Sequence, residues 1–495
     1  MTPATPASPT PPLGVTLVVD PQFRPPIRDW AGTVISLAAG LIVALGGAFG
    51  SYAGLQLLAA LTLGLGIKLL WRRGEPQVLM FLFIYQWLQA SAGVLYCNLF
   101  GETIEAFADF PGQLERAIAL SLVGLSIQAV FIRLAIGRPD GATSRRIAAV
   151  LDSVPVSRWF AIYLSVFAFS TAANAAAPFS GTLIQLFYFL GTIKWAGFIA
   201  LALATLSDRR TSNIYLLIAF GLEFAISLGS YFSSFADVIF FTAIALSSSR
   251  RKLKASWLII GAVLGLLASI LGATWQEIKN DYREFVSQGT GSQVVLVDRN
   301  AQLGELEYLI GKMSPADLAD GYEKLVRRLS YFTFFGVVLD RVPSAEPYSG
   351  GELWGASVSS RLVPRIINPD KSVINDSLLT ARYTGLTMIG AEAEGVSISM
   401  GYMAEAYIDF GPWLMFAPLA GLGLFIGLIY RWLVRQKGDR MLVGTMLVPV
   451  TLYQDHLLET SVLKLVPGLA IAVLGTWGIL AIGAPRLAKV LTKRG

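Results

Sequence analysis

The stretch QVLMFLFIYQWLQASAGVLYC, residues 77–97, contains no Asp, Glu, Lys or Arg. A mainly apolar run of roughly 18 residues or more can cross a hydrocarbon core of about 30 Å as a helix. The strands of a membrane barrel instead alternate apolar and polar side chains, and this stretch shows no such alternation. It therefore predicts a membrane-spanning α-helix.

Runs of the same kind recur along the whole chain of 495 residues. The sequence is 54% hydrophobic and only 15% charged, and its mean hydropathy is +0.59, whereas a soluble domain carries about 25% charged residues. We expect an all-α polytopic membrane protein with about 12 transmembrane helices. The predicted spans are residues 31–49, 52–70, 77–97, 115–136, 158–177, 180–206, 213–231, 234–248, 255–273, 412–433, 440–458 and 465–484.

Short basic segments between the apolar runs predict the side on which each loop lies. Cytoplasmic loops carry an excess of Lys and Arg, and alternating the spans from a cytoplasmic N-terminus places all of these segments inside. The net charge of +6 follows this topology and does not indicate nucleic acid. The segments are WRRGEP, RPDGATSRR, SDRR, SSSRRKLK, RWLVRQKGDR and RLAKVLTKRG.

The span pattern divides the chain into four parts. Residues 1–29 are a Pro-rich, cytoplasmic tail without the pattern of a signal peptide. Residues 30–273 hold transmembrane helices 1–9, and residues 274–411 form one large external loop. Residues 412–495 hold helices 10–12 and a basic cytoplasmic C-terminus.

The external loop is too long for a connector and is predicted to be a folded functional element. It carries 18 of the 33 acidic residues of the chain and 12 of the 39 basic ones. Its stretch LSYFTFFGVVL, residues 329–339, is apolar but too short to span. We expect this stretch to lie on or dip into the outer interface as part of an amphipathic helix.

Several kinds of chemistry are disfavoured by composition. Cys97 is the only cysteine, which rules out an intrachain disulfide, and His456 is the only histidine. Zinc or iron sites and His-dependent triads are therefore not expected, and neither is a metal ligand set. The glycine run GLGLFIG, residues 421–427, lacks the preceding strand of a nucleotide loop and predicts close helix packing instead.

Cations in the external loop are the candidate ligands for an anion. Guanidinium groups fit phosphate oxygens in a bidentate fork, so a converging set of cations would suit a pyrophosphate. The stretch VPRIINPDKS, residues 363–372, holds Arg365 and Lys371 beside two prolines, Pro364 and Pro369, that restrict the backbone. The alternative is solvated charge with local ion pairs. The candidates are Arg327, Arg328, Arg341, Arg361, Arg365, Lys371 and Arg382.

Candidate catalytic carboxylates lie in GYMAEAYIDFGPW, residues 401–413. Glu405 and Asp409 are four residues apart and share one face of a helix. Burial would raise their pKa and prepare one of them as a proton acceptor; alternatively, they cap the end of a span. Tyr407 lies on a different face, and Gly411 followed by proline should bend the helix.

Ionisable residues within or beside the predicted spans are further candidates, because such charges line cavities or pair with each other. Glu223 lies deepest, either as a functional group or paired with Lys194. Asp237 lies in the eighth span. His456 follows Asp455 near the outer end of the eleventh, as an interfacial polar residue or a base.

Three segments resemble the Wzy-type polymerases of O-antigen and exopolysaccharide repeat units: RRLSYFTFFGVVLDRVPSAEPYSGG, LVPRIINPDKS and MAEAYIDFGPW. The chain departs from the family pattern at Asn368 and Ser372, where Trp and Pro are frequent, and at Ala404 and Asp409, where Gly and Asn are common. The motifs cover about 60 residues, although the layout of spans and external loop is similar along nearly the whole chain.

The resemblance implies a GT-C-like architecture in the bacterial inner membrane. It implies transfer of a growing glycan from undecaprenyl pyrophosphate onto a lipid-linked repeat unit at the periplasmic face, without metal or cofactor, beside a flippase and a chain-length regulator. Arg365 and Lys371, assisted by Arg341 or Arg328, would bind the diphosphate, and Glu405 would be the base. Arg382 would be a further diphosphate ligand and Asp409 a second catalytic carboxylate.

Three other functions stay open. A ligase of the O-antigen type would share the span count and the large loop, and a polysaccharide or lipid transporter would show two similar halves, which the sequence lacks. A glycosyltransferase that uses polyprenyl-phosphate sugars would place acidic residues in the first external loop. Here such residues, Glu102, Glu105 and Asp109, lie in the second.

Overall fold

The computed structural model describes residues 30–207, 213–227, 235–248, 255–290, 295–362, 375–387, 397–453 and 457–492. These ranges contain helices and no strand. Seven helical segments in them are long and apolar enough to cross a membrane, so the protein is a helical membrane protein. The segments are Ala53–Leu70, Val78–Phe100, Leu114–Ile136, Val156–Phe179, Gly181–Leu206, Phe416–Val434 and Val462–Leu491.

The helices before the external loop follow the predicted spans closely, with a short helix α4 and a helix α6 added between them. Four of the apolar helices in the chain, Ala31–Gly46, Ile214–Ser227, Ala236–Ser248 and Arg440–Leu452, are shorter than 18 residues. In order, the helices are α1 Trp30–Gly46, α2 Ala53–Leu70, α3 Val78–Phe100, α4 Ile104–Phe107, α5 Leu114–Ile136, α6 Gly141–Ser153, α7 Val156–Ala176, α8 Ile184–Thr192, α9 Lys194–Ser207, α10 Ile214–Ser227, α11 Phe235–Ser248 and α12 Ala255–Val286.

The described residues between 274 and 411 are mostly helical, and three helices follow them. The remaining helices are α13 Arg299–Lys312, α14 Pro315–Leu329, α15 Phe332–Arg341, α16 Glu352–Leu362, α17 Asp376–Thr384, α18 Tyr402–Leu414, α19 Phe416–Val434, α20 Arg440–Leu452 and α21 Val462–Thr492.

Helices α5 and α19 pack closely at the centre of the bundle through the predicted glycine run. A Cβ added at Gly423 would lie 2.8 Å from the carbonyl oxygen of Gln128, and one at Gly427 would lie 2.9 Å from that of Ile132. Nothing lies within 4 Å of such an atom at Gly421. Two of the three glycines therefore let the helix backbones approach, as small residues do between membrane helices.

Basic loops meet at one end of the bundle, which we call the basic end. Arg72 donates from Nη1 to the carbonyl oxygen of Gly137 at 2.8 Å and pairs with Glu75 at 2.5 Å. Tyr430 donates to the same carboxylate at 3.1 Å, and Arg435 lies beside Gly137. The loops after α2, α5 and α19 are thereby held together.

The stretch predicted to lie at the outer lipid interface is buried in the protein instead. It forms α15, whose Phe332, Phe335 and Val338 are 1%, 2% and 0% exposed. The helix packs on α5, and Gly112 meets the backbone of Gly336. The interface prediction was wrong because hydropathy alone does not distinguish a lipid-facing surface from a protein-facing one.

The predicted bend before the tenth span is confirmed. Gly411 has φ 72° and ψ −175°, outside the helical region, and interrupts α18. A positive φ of this size favours glycine. The bend separates the buried residues 402–409 from α19, which continues through the bundle.

Candidate anion-binding site

A cavity of about 360 Å³ opens between α12, α14 and α15, and we call it the outer pocket. Four of its lining side chains are cationic and one is a carboxylate. Its lining residues are Asp109, Gln276, Lys279, Asn280, Lys324, Arg327, Arg328, Ser330, Tyr331, Thr333 and Phe334.

Lys279 is the cation in this pocket with no acidic partner among the described residues. Its Nζ donates to the neutral amide oxygen of Gln276 at 2.5 Å. Partial burial, together with the positive charges of Arg283, Arg328 and Lys324, lowers the pKa of Lys279. An anion in the pocket would relieve this repulsion.

The other three cations are held by carboxylates. Lys324 pairs with Glu277 at 2.8 Å, and the Nη2 atom of Arg327 lies 2.7 Å from Glu323. Arg327 also donates to the carbonyl oxygen of Phe107.

Arg328, the predicted diphosphate ligand that reaches the pocket, is 45% exposed. Its two Nη atoms donate to the two carboxylate oxygens of Glu459. Partial burial opposes its charge, but this bidentate pair outweighs it and raises the pKa of Arg328. The pair fixes the guanidinium at the rim of the pocket.

Tyr331 connects the outer pocket to buried carboxylates behind it. Its hydroxyl donates to the carbonyl oxygen of Ser399. Burial raises its pKa, and the negative charges of Glu459, Glu405 and Asp376 raise it further. The predicted base, Glu405, therefore lies within electrostatic range of a pocket-lining residue.

Glu405 is 1% exposed and holds the start of another helix. Its Oε2 accepts the backbone N–H of Val462, the first residue of α21, at 2.6 Å. Burial raises the pKa of Glu405 to about 8, hydrogen bonds from Ser461 and Val462 oppose the shift, and the charges of Asp376 and Asp409 add to it. The expected upward shift is present, in a carboxylate that also caps a helix.

The carboxylate of Asp409 likewise accepts backbone N–H groups at the start of a different helix, α16. Its Oδ2 accepts the N–H of Trp354 at 2.8 Å and its Oδ1 that of Leu353 at 3.2 Å, both in the first turn of α16. Tyr407 faces away, as predicted, and donates to the carbonyl oxygen of Val342 at 3.0 Å. The shared face of α18 thus orients two helices through its carboxylates.

The remaining predicted cations do not reach the outer pocket within the described ranges. Arg341 lies against Gly385, and Arg382 pairs with Glu346 at 3.3 Å. Arg365 and Lys371 lie outside the described residues, as does the side chain of Arg361.

The ionisable residues of the spans are paired. Lys194 lies 2.5 Å from Glu223, whose other oxygen accepts from Tyr163 at 3.0 Å. Asp237 accepts from the hydroxyl of Tyr453 at 2.5 Å. The pairing alternative for Glu223 is therefore the one observed. Asp455 and His456 lie outside the described residues.

The sequence pattern missed Lys279 and Lys324 because they stand on two helices 45 positions apart, and only the packing of α14 on α12 brings them together. It also missed Asp376, which is 1% exposed and lies 2.5 Å from Lys464 through its Oδ2. The polar first residue of α17 gave no sign of burial.

Within the described ranges, no three carboxylate, thiol or imidazole groups come close enough together to hold a metal ion. Residues 152–458, more than half of the chain, match a family described as a domain of unknown function, DUF8712. The chain belongs to the DUF8712 family. The DUF8712 match contains all four cations of the outer pocket and both carboxylates of α18. No curated protein and no solved structure matches the sequence.

Proposed function

We propose that the protein is a glycosyltransferase that polymerises polysaccharide repeat units at the outer face of the bacterial inner membrane. The donor is a growing glycan on undecaprenyl pyrophosphate, and the acceptor is a sugar hydroxyl of a lipid-linked repeat unit. The resemblance of three segments to Wzy-type polymerases supports this proposal, as do the seven helical segments that are long and apolar enough to cross a membrane. A flippase would supply the substrate and a further partner would set chain length.

The observation that carries the proposal is the position of Lys279 in the outer pocket. It is a partly buried cation among three others, without a carboxylate of its own among the described residues. A diphosphate there would satisfy Lys279 and receive further hydrogen bonds from Lys324 and Arg328. The same contacts would stabilise the charge that develops as the sugar leaves.

Glu405 is the proposed base for the acceptor hydroxyl. A general base works best with a pKa near the operating pH, and burial raises the pKa of Glu405 to about 8. The bond from the anomeric carbon to the diphosphate oxygen breaks, and the acceptor oxygen forms the new glycosidic bond. The acceptor's proton passes to Glu405.

The test is polymerisation by the purified full-length protein of lipid-linked repeat units, with products resolved as a ladder. We expect a ladder that persists with a chelator, at least about tenfold less product from Lys279→Gln, and an unchanged yield from Lys312→Gln. Lys312 is an exposed lysine of the same external segment that lies over the Tyr308 ring. Equal yields from Lys279→Gln and the unsubstituted protein would contradict the assignment. Glycan moved onto another acceptor without lengthening would indicate a ligase.

A further inference from the structure

An open groove of about 600 Å³ lies at the basic end of the bundle, where Arg435 lies beside Gly137. It is formed by the turn between α19 and α20, the first residue of α20 and one residue of α21. We call it the basic groove. Its lining residues are Arg435, Gln436, Lys437, Asp439, Arg440 and Pro485.

Three cations surround this groove, and none of them forms an ion pair within the described part of the chain. Gly438 has φ 56°, which lets the turn bring Lys437 and Arg440 to the same cavity as Arg435. Asp439 is the one acid in the lining. The groove is therefore net positive, because its three cations outnumber the single carboxylate of Asp439.

Helix α21 continues from the groove along an apolar, exposed surface. Ile482 is 60% exposed, Trp477 is 62% exposed and Leu474 is 66% exposed. All three precede Pro485 in α21. At 1.5 Å of rise per residue, Leu474 lies about 16 Å from Pro485 along the helix. A ligand with a charged head and long apolar chains would match the cations and the helix surface together.

We propose that the basic groove binds the phosphate head group of an anionic phospholipid, with its acyl chains along α21. Clusters of Lys and Arg at the cytoplasmic end of membrane helices attract anionic lipids. A free phosphate or nucleotide would use the same cations, but the groove adjoins the exposed apolar strip of a helix that is long and apolar enough to span a membrane, where lipid chains lie. The apolar strip therefore selects the lipid.

Native mass spectrometry of the full-length protein, titrated with phosphatidylglycerol, phosphatidylcholine or inorganic phosphate, tests this site. We expect phosphatidylglycerol to bind about tenfold or more tightly than phosphatidylcholine. The variant Arg435→Gln/Lys437→Gln/Arg440→Gln should lose that preference. The variant Asp439→Asn should bind phosphatidylglycerol about twofold to fivefold more tightly, a gain that a misfolded protein cannot give.

The matched control is Arg138→Gln/Arg145→Gln/Arg146→Gln, which removes three exposed cations from the same end of the bundle but outside the groove. It should keep the preference for phosphatidylglycerol. Equal losses in both triple variants, or an unchanged preference in the groove variant, would overturn the site. Complete displacement of phosphatidylglycerol by millimolar inorganic phosphate would overturn the choice of a lipid. Unchanged binding by Asp439→Asn would overturn the site.

Discussion

The carboxylate of Glu405 accepts the backbone N–H of Val462 at 2.6 Å and so caps α21 from the side of α18. The two residues lie 57 positions apart in the chain. A side-chain oxygen at a helix N-terminus satisfies a backbone donor that has no partner in its own helix. Glu405, the proposed base, therefore also stabilises the start of α21, and experiments must distinguish this structural role from catalysis.

Two substitutions at Glu405 separate these roles. Glutamine keeps an oxygen that can accept from Val462, so we expect Glu405→Gln to fold and to lose polymerising activity. Glu405→Ala removes the cap and should lower the free energy of unfolding by about 1 to 2 kcal/mol. Thermal unfolding in detergent measures the second effect, with the exposed Glu307→Ala as control. An active Glu405→Gln enzyme would remove this residue from the mechanism.

Stability should depend on pH through the same carboxylate. Burial raises the pKa of Glu405 from its ordinary 4.5 to about 8, so the folded protein holds the proton more tightly than the unfolded chain. The contribution is fully present below pH 4.5 and is lost as pH rises to about 8, at up to about 1.4 kcal/mol per pH unit. Unfolding temperatures measured between pH 5 and 8 should fall with pH, and less steeply in Glu405→Gln. Parallel slopes in the two proteins would assign the dependence to other groups.

Much of the helical architecture could be predicted from local sequence. Apolar runs predicted the positions of the helices, and the Gly411–Pro412 pair predicted the bend. The depth of Glu223 in its span indicated either a function or a partner, and Lys194 is that partner. Each of these features depends on residues close in sequence or on the high cost of a charge in hydrocarbon.

The candidate site was less predictable because it depends on contacts between distant segments. Residues 329–339 are as apolar as an interfacial helix, and only the packing of Gly336 on Gly112 shows that protein covers them. Lys279 resembles any polar residue at the end of a span. The packing of α14 on α12 surrounds Lys279 with other cations, and local sequence does not show this contact.

The glycines of α19 provide a test of the central packing. A side chain at Gly427 would meet the backbone of Ile132 and the side chain of Ala135, whereas Gly421 faces open space. We expect Gly427→Val to lower the free energy of unfolding by about 1 to 3 kcal/mol through overpacking, and Gly421→Val to be neutral. Unfolding temperatures of the two variants in the same detergent check this. Similar temperatures for both would argue against close contact of α5 and α19.

The buried pair of Lys194 and Glu223 should matter most when one partner is left alone. Glu223 is 1% exposed, so Lys194→Met leaves a buried carboxylate without its cationic partner. We expect this to lower the free energy of unfolding by on the order of 3 kcal/mol. Removing both charges with Lys194→Met/Glu223→Gln should cost less than Lys194→Met alone. Unfolding temperatures of the two variants are compared with that of Lys68→Met, which replaces an exposed lysine. A double variant less stable than the single one would contradict the pairing.

Binding of undecaprenyl pyrophosphate by the purified protein tests the central claim most directly, with undecaprenol as the ligand that lacks phosphates. We predict that the diphosphate binds more tightly than the alcohol. Lys279→Gln should weaken binding of the diphosphate about tenfold and leave the affinity for undecaprenol unchanged. Lys312→Gln should bind both ligands as the unsubstituted protein does. If Lys279→Gln binds the diphosphate with undiminished affinity, the outer pocket is not the site that holds it.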